Sequence, residues 1–450
     1  MKLGYLTFGR DDFAYGLSLV LEPLKGKHEV FRVTPKTARY VDKLLFSCFW
    51  WEHIYALADF LSAAGIKKSD KNRPEILVGG FNTFNPVPFL AYADKIFVGD
   101  GEVALADYLE GKGGDSIYEG QDSVQYATVP ILRGHAHVTN EISRIELARG
   151  CKFHCKFCLV SHIKKYREVP LAEIEALLRR VKQRRVSLFA PEPHLYSDRA
   201  KVQRLCDALG KVRLDTDVRL ENLNKRTNDV IPRFGLEGIS ERLRYSVGKH
   251  YSDEFVVSKI EEAMPTGLKG LTFYVILDLP GEAREDWESF SALLAKIGKI
   301  KGSERFTLFP YPNVFNPNPH TPLEFAPVHW ERDYLSIWRN FFSSGRQVVD
   351  NPWNVKVAPR TRIPSPSGRI LSMVSLRAGE EFHDIEAELT ARGALVIKEG
   401  RPNCPSLGKL LRVLEGYGGV DNYCGEVPES RRLSAPWKKV IIPDPSSKEG

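Results

Sequence analysis

The stretch RGCKFHCKFCLVSH, residues 149–162, holds Cys151, Cys155 and Cys158, three of the seven cysteines in a 450-residue chain. It follows ISRIELARG, an apolar run that reads as a strand, so the thiols fall on a glycine-initiated loop at a strand's C-terminal end. Cysteines spaced C-x3-C-x2-C point to a metal centre. Four thiolates or imidazoles would close a structural zinc site, and His154 or His162 could complete one. A cubane iron–sulfur cluster has four irons, and three protein thiolates would leave one iron open to a small molecule. The residues alone leave both readings in place.

Working outward, the downstream sequence alternates strand and helix patterns. LAEIEALLRRVKQRR (171–185) predicts a helix, RVSLFAPEP a strand with its loop, and KVQRLCDALGK a helix. VRLDTDVRLENL (212–223) and RLRYSVGK (242–249) read as strands and EFVVSKIEEAMPTG as a helix. LTFYVILDLPGE reads as a strong strand, REDWESFSALLAKIGKI as a helix, and RFTLFPYPN as the final strand. About six strand–helix units result, fewer than the eight of a complete barrel. The proline- and asparagine-rich residues 311–328 predict an ordered loop.

Upstream, short apolar runs also alternate with helices. MKLGYLTF, KHEVFRV, LLFSCFWW, EILVGGF and DKIFVGDGE read as strands, with helices at EHIYALADFLSAAG and EVALADYLEG. This pattern predicts a doubly wound, Rossmann-like parallel sheet. Glycines close the last two strands at Gly79-Gly80 and GDGE (99–102), where a backbone turns tightly or approaches a ligand. The expected organisation is an α/β chain: a sheet domain over 1–125, a linker over 126–140, a partial barrel over 141–328, and a smaller, mostly helical C-terminal region over 329–450.

Composition bounds the setting. The residues are 43% hydrophobic and 11% aromatic, ample for large cores, and the net charge is +7. That mildly basic balance permits a nucleic-acid partner without demanding one. The N-terminus MKLGYLTFGRDDF lacks a signal-like apolar run, and no stretch approaches a membrane span. An odd, uneven set of cysteines fits thiols kept reduced, so a cytoplasmic location without membrane contact is expected.

The cysteine stretch, with Phe157 just before the third thiol, resembles the signature of the radical S-adenosylmethionine (radical SAM) superfamily. The resemblance implies a [4Fe–4S] cluster on Cys151, Cys155 and Cys158. It implies that S-adenosylmethionine (SAM) chelates the open iron, and that a reductant such as flavodoxin or ferredoxin drives its cleavage to a 5′-deoxyadenosyl radical. RVSLFAPEP resembles the superfamily's second-strand region, with Glu192 as the candidate for the SAM amine. DVRLENL resembles the fourth-strand region, where Arg219 and Glu221 would face SAM. LEGISERLRYSVGK resembles the glycine–glutamate–serine segment of cobalamin-binding and methylthiotransferase-type members, with Glu237 and Ser240 as candidates. YVILDLPGE resembles the turn near the adenine, and NPNPHTPLE a proline-rich stretch after the barrel. No residue is assigned as the catalytic hydrogen donor.

The N-terminal sequence resembles the cobalamin-binding domain that precedes the barrel in one subgroup. Ser47 of S-x-F, Gly79, Gly80, Gly101 and Glu102 carry that resemblance. It departs after the first strand, where GRDDFAYG replaces the usual Asp-x-His-x-x-Gly loop, so cobalamin stays open. With cobalamin the implied reaction is methyl transfer; without it, radical rearrangement or another radical modification. A methylthiotransferase is disfavoured, because its N-terminal domain carries three cysteines and this one has Cys48 alone. Cys404 and Cys424 read as buried side chains more readily than as ligands. Trp50 and Trp51 read as packing.

Residues 141–185 hold twelve Lys/Arg against five Asp/Glu, including KKYR (164–167) and RRVKQRR (179–185). Such a face suits a nucleotide or nucleic acid, and equally a solvated outer helix. ESRRLSAPWKK, with Trp437, is a weaker signal of the same kind. The reading from another class is a zinc-stabilised nucleic-acid-binding protein. It has no use for the LEGIS and DLPGE stretches, which the radical enzyme does.

Overall fold

A computed structural model describes residues 1–8, 15–214, 218–225, 231–346, 355–361, 363–398 and 400–443. The chain forms two compact units. One comprises Met1–Pro130, Pro317–Trp330 and Pro366–Gly450; the other comprises Ile131–Asn316 and Glu331–Ser365. This division differs from the expected one. The C-terminal region is not a separate piece, because residues from 366 onward join the N-terminal unit and 331–365 join the other.

The N-terminal unit is built on β1 (Lys2–Thr7), β2 (Glu29–Arg32), β3 (Lys43–Ser47), β4 (Glu75–Gly79), β5 (Lys95–Phe97) and β6 (Ile117–Tyr118). Their order is β2-β1-β3-β4-β5-β6, parallel except for the antiparallel β5–β6 pair. Both faces of the central strands are covered, which is why LLF and ILV read as unbroken apolar runs. The helix His53–Ala63 buries eight of its eleven residues. A helix apolar on most sides needs a second covering layer. The chain's C-terminal residues supply it. The Tyr55 hydroxyl donates to the Leu371 carbonyl at 3.0 Å, and the Tyr55 and Phe382 rings lie 5.2 Å apart. The short β7 (Val124–Gln125) pairs with Val440–Ile441.

Arg377 ties this layer together. The last residue of the buried helix Pro366–Arg377, it donates through Nη1 to the carbonyls of Tyr423 and Gly425. Through Nη2 it donates to those of Glu324 and Ala326, with all four distances between 2.7 and 3.0 Å. Burial lowers its pKa to about 10.

The second unit carries two four-stranded sheets. The first contains β8 (Ala136–Val138), antiparallel to β9 (Ile142–Glu146). A two-residue β10 (Ala148–Arg149) pairs antiparallel with β11 (Arg167–Glu168) beside it. β12 (Arg185–Phe189) and β13 (Val212–Arg213) extend the first sheet in parallel, in the order β13-β12-β9-β8. The second sheet runs β14 (Arg233–Glu237), β15 (Gly270–Leu277), β16 (Thr307–Val314) and β17 (Lys356–Val357), all parallel. Six parallel strands, β9 and β12 to β16, match the six expected units. Among the described residues their two sheets are not paired into one barrel.

Several expected elements differ. Residues 242–249 are no strand: Glu241–Ser246 is helical, and the strand is Arg233–Glu237. The Ser240 hydroxyl accepts the Leu243 N–H at 3.2 Å and so caps the helix. The strand expected at 212–223 is β13 followed by a 3-10 helix at Leu220–Lys225, with 215–217 outside the described residues. The helix expected to run to 185 stops at Arg180, because Lys211 Nζ takes the carbonyls of Val181 and Gln183 at 2.6 and 3.0 Å. β16 is not last, since β17 follows it. The expected linker contains β8.

Candidate functional site

The cysteine loop leaves the C-terminal end of β9 and is held from several sides. Gly150 has φ +73°, and a Cβ there would lie 2.4 and 2.5 Å from the Lys164 and Lys165 carbonyl oxygens. Only glycine lets β10 and β11 close this neck. The Lys156 N–H donates to the Val247 carbonyl at 3.0 Å, and the Cys158 N–H to the Cys155 carbonyl at 3.0 Å. His162 Nε2 lies 3.1 Å from the same Cys155 carbonyl. A carbonyl can only accept, so this nitrogen carries the proton and is committed.

Cys151, Cys155 and Cys158 are free thiols. Burial pushes the Cys151 thiol up, with the Cys158 and Glu192 charges adding to it and Arg219 opposing. Burial also pushes Cys155 up, while Lys249 and Arg219 favour its thiolate. Cys151 thus neighbours Cys158, Glu192 and Arg219, and Cys155 neighbours Lys249, Cys158, Glu237 and Arg219.

Glu192 follows β12, Arg219 follows β13 and Glu237 ends β14, whereas Lys249 follows the helix Glu241–Ser246. Glu192, after β12, is buried and accepts the His194 backbone N–H at 3.1 Å, with His194 Nδ1 at 3.2 Å. Arg219 pairs with Glu221 through two nitrogens, at 2.8 and 3.2 Å. Glu237 ends β14 at a bulge with φ +72°, and its carboxylate lies over Gly235. Burial raises its pKa, and Lys249 at 3.4 Å works against that rise. Phe157 is partly buried between Lys156 and Cys158. Ser240 is placed differently: it caps a helix and bonds to Asp286.

Sequence reasoning missed Phe153, Lys249, Tyr251 and His194. Lys249 and Tyr251 follow a helix read as a strand, and the turn at Gly248, with φ +77°, returns them to the loop. The basic run at 179–185 lies elsewhere: Arg185 opens β12 at its N-terminal end, whereas the cysteines follow a C-terminal end.

In the N-terminal unit, Ser47 and Gly79 are register partners at the ends of β3 and β4. Gly80 and Gly101 with Glu102 follow β4 and β5 along the same sheet edge, so the structure brings this set together. Gly80 has φ +106°, and a Cβ there would meet the Cys48 backbone at 2.6 Å, so chain packing alone requires this glycine. The loop GRDDFAYG lies outside the described residues for 9–14.

The donor set fits a three-thiolate cluster: one loop, three free thiols and two cations that favour thiolate. A cubane spreads its ligands over separate irons, so the sulfurs need not converge on one point. Among the described residues no three His, Cys, Asp or Glu side chains are grouped to hold a single metal ion. No described helix is long and apolar enough to cross a membrane.

Residues 145–294 match the model of the radical SAM superfamily. The uncharacterized protein MJ0966 of Methanocaldococcus jannaschii is 27% identical over 195 residues, 40% of this chain and 42% of that protein. Two solved structures of the cobalamin-dependent S-adenosylmethionine radical enzyme OxsB are also similar. The form with aqua-cobalamin has TM-score 0.47 and 12% identity, covering 90% of this chain and 64% of that one. The apo form has TM-score 0.49 and 13% identity, covering 89% and 62%. The chain thus spans less than two thirds of each relative's length. The matched residues 145–294, a radical SAM domain, contain the cysteine loop and its charged neighbours.

Proposed function

We propose that the chain is a radical SAM enzyme whose Cys151, Cys155 and Cys158 hold a [4Fe–4S] cluster, and that it abstracts a hydrogen atom from its substrate. The observation that carries this reading is three closely spaced free thiols on one loop, with Glu192 and Arg219 beside Cys151 and Lys249, Glu237 and Arg219 beside Cys155. When bound and reduced by one electron, such a cluster supplies the electron that splits the sulfur–C5′ bond of SAM into methionine and a 5′-deoxyadenosyl radical. The chain's own residues do the rest. Burial of Cys155 limits water at the loop. Glu192, buried and oriented by His194, offers a carboxylate to the SAM amine. The Glu237–Lys249 pair balances charge where a cationic substrate and an anionic centre would meet. A protein reductant, a cytoplasmic setting and a substrate that includes nucleotides or nucleic acid among its candidates belong to the same reading.

A second reading adds cobalamin and methyl transfer. It is favoured by the shared sheet edge that holds Ser47, Gly79, Gly80, Gly101 and Glu102.

The test is anaerobic reconstitution with iron and sulfide, read by absorption and electron paramagnetic resonance with and without SAM. Absorption near 400 nm, roughly where a cubane absorbs, and a reduced signal that moves on adding SAM are expected. Cys155→Ala should lose both the cluster and SAM cleavage; a variant that still cleaves SAM sinks the proposal. Corrinoid bands retained after adding hydroxocobalamin would support methyl transfer, and their loss on washing would refute it. A colourless protein with stoichiometric zinc would return the loop to a structural role.

A further inference from the structure

We infer that Arg219 is a positioning residue for the cysteine loop and not a contact for SAM. This rests on the reading that the loop holds a cluster. Phe153 lies midway between Cys151 and Cys155, and the Arg219 guanidinium carbon sits 3.6 Å from its ring centroid. One guanidinium face is thus taken by the loop. Glu221 holds the guanidinium's edge through Nη2 at 2.8 Å and Nε at 3.2 Å. Glu221 is held in turn by the Tyr251 hydroxyl at 2.7 Å, and the Tyr251 ring lies 5.5 Å from the guanidinium. Tyr251 is anchored by its own carbonyl, which accepts Arg244 Nε at 2.7 Å. Arg244 is fully buried and paired with Asp253. A chain of contacts therefore runs from the helix cap at residues 252–253 to the centre of the C-x3-C segment.

Physically, a planar cation clamped along its edge presents a fixed face, and an aromatic ring laid on that face loses its freedom to swing. Phe153 is flanked by two of the three ligands, so fixing its ring fixes the spacing of Cys151 and Cys155 before any cluster arrives. A site held in its productive geometry in advance spends less binding energy on ordering. Lysine cannot replace Arg219 here, because it has neither the fork nor the flat face.

The test compares Arg219→Gln, Arg219→Lys, Phe153→Leu and Arg219→Gln/Phe153→Leu in the full chain. Amide hydrogen exchange of residues 152–158 is measured before reconstitution, iron per chain after it, and SAM affinity on the reconstituted protein. Each single change should speed exchange about tenfold, the loss of one cation–π contact of ordinary strength, and lower iron retention. The double variant should be no worse than either single one, because both remove the same contact. Unchanged exchange and iron with weakened SAM binding would overturn the inference and make Arg219 a SAM contact. Phe153→Leu carries the test if Arg219→Gln does not fold. Exchange is read without the cluster, so a wild type that takes up no iron refutes the enzyme reading and leaves the clamp measurable.

Discussion

Gly150→Ala should open the neck of the cysteine loop, and Gly267→Ala provides its control. Both glycines have left-handed backbones, with φ +73° and +81°, and lie in the same unit. An alanine in that conformation costs about 1–2 kcal/mol. At Gly267 nothing lies within 4 Å of an added Cβ, so that is the whole penalty. At Gly150 the Cβ would meet the Lys164 and Lys165 carbonyl oxygens at 2.4 and 2.5 Å. That is roughly 1 Å short of an ordinary carbon–oxygen contact. The neck must open, and the pairing of Ala148 with Glu168 and Arg149 with Arg167 is lost. At about 1 kcal/mol for each backbone bond, the total comes to roughly 3–4 kcal/mol. Native-state hydrogen exchange suits a chain of two units, because it reads local opening. The Val169 N–H, bonded to the Leu147 carbonyl at 2.8 Å, reports beside the neck. Gly150→Ala should expose it far more often than Gly267→Ala, and iron retention should fall in the first variant alone. Equal exchange and equal iron in the two variants would refute the steric argument.

Three further outcomes are expected. Burial raises the Glu282 carboxyl to about 7 from an ordinary 4.5. Between those values the folded chain keeps a proton that the unfolded chain has released. Stability should therefore fall as pH rises through that window, by on the order of 3 kcal/mol, and level off above it. Denaturation of wild type and Glu282→Gln from pH 4.5 to 8 should show the slope only in the wild type, and equal slopes would contradict it. Arg377→Met leaves four backbone carbonyls without their donor, and at least about 3 kcal/mol of stability in the N-terminal unit should be lost; an unchanged melting temperature would refute this. Charge reversal at Arg180, Lys182 and Arg184 should leave SAM cleavage intact, because that run meets β12 at the end away from the cysteines; a severalfold loss would show that the run serves the site.

Much of the site was legible in local spacing. Cys151, Cys155 and Cys158 are close in sequence and remain close in space, since a loop of eight residues cannot disperse its own side chains. The strands EILVG and LTFYVIL were legible because strands buried on both faces are apolar throughout. RLRYSVGK was misread because a short stretch cannot separate a period of two from one of 3.6. The cap that decides it, Ser240, acts through a backbone N–H three residues on.

The sequence by itself determined the α/β class, the strand–helix alternation and the close spacing of the three cysteines, because each follows from neighbours along the chain. Tertiary structure alone decided where the C-terminal residues belong, because the exposed apolar side of the helix His53–Ala63 has to be covered by something. It also decided the partners of the cysteine loop. Phe153 and Arg219, or Cys155 and Lys249, are far apart in sequence and have complementary charge or shape. Many pairs in the chain share that complementarity, and only the folded backbone selects which of them meet.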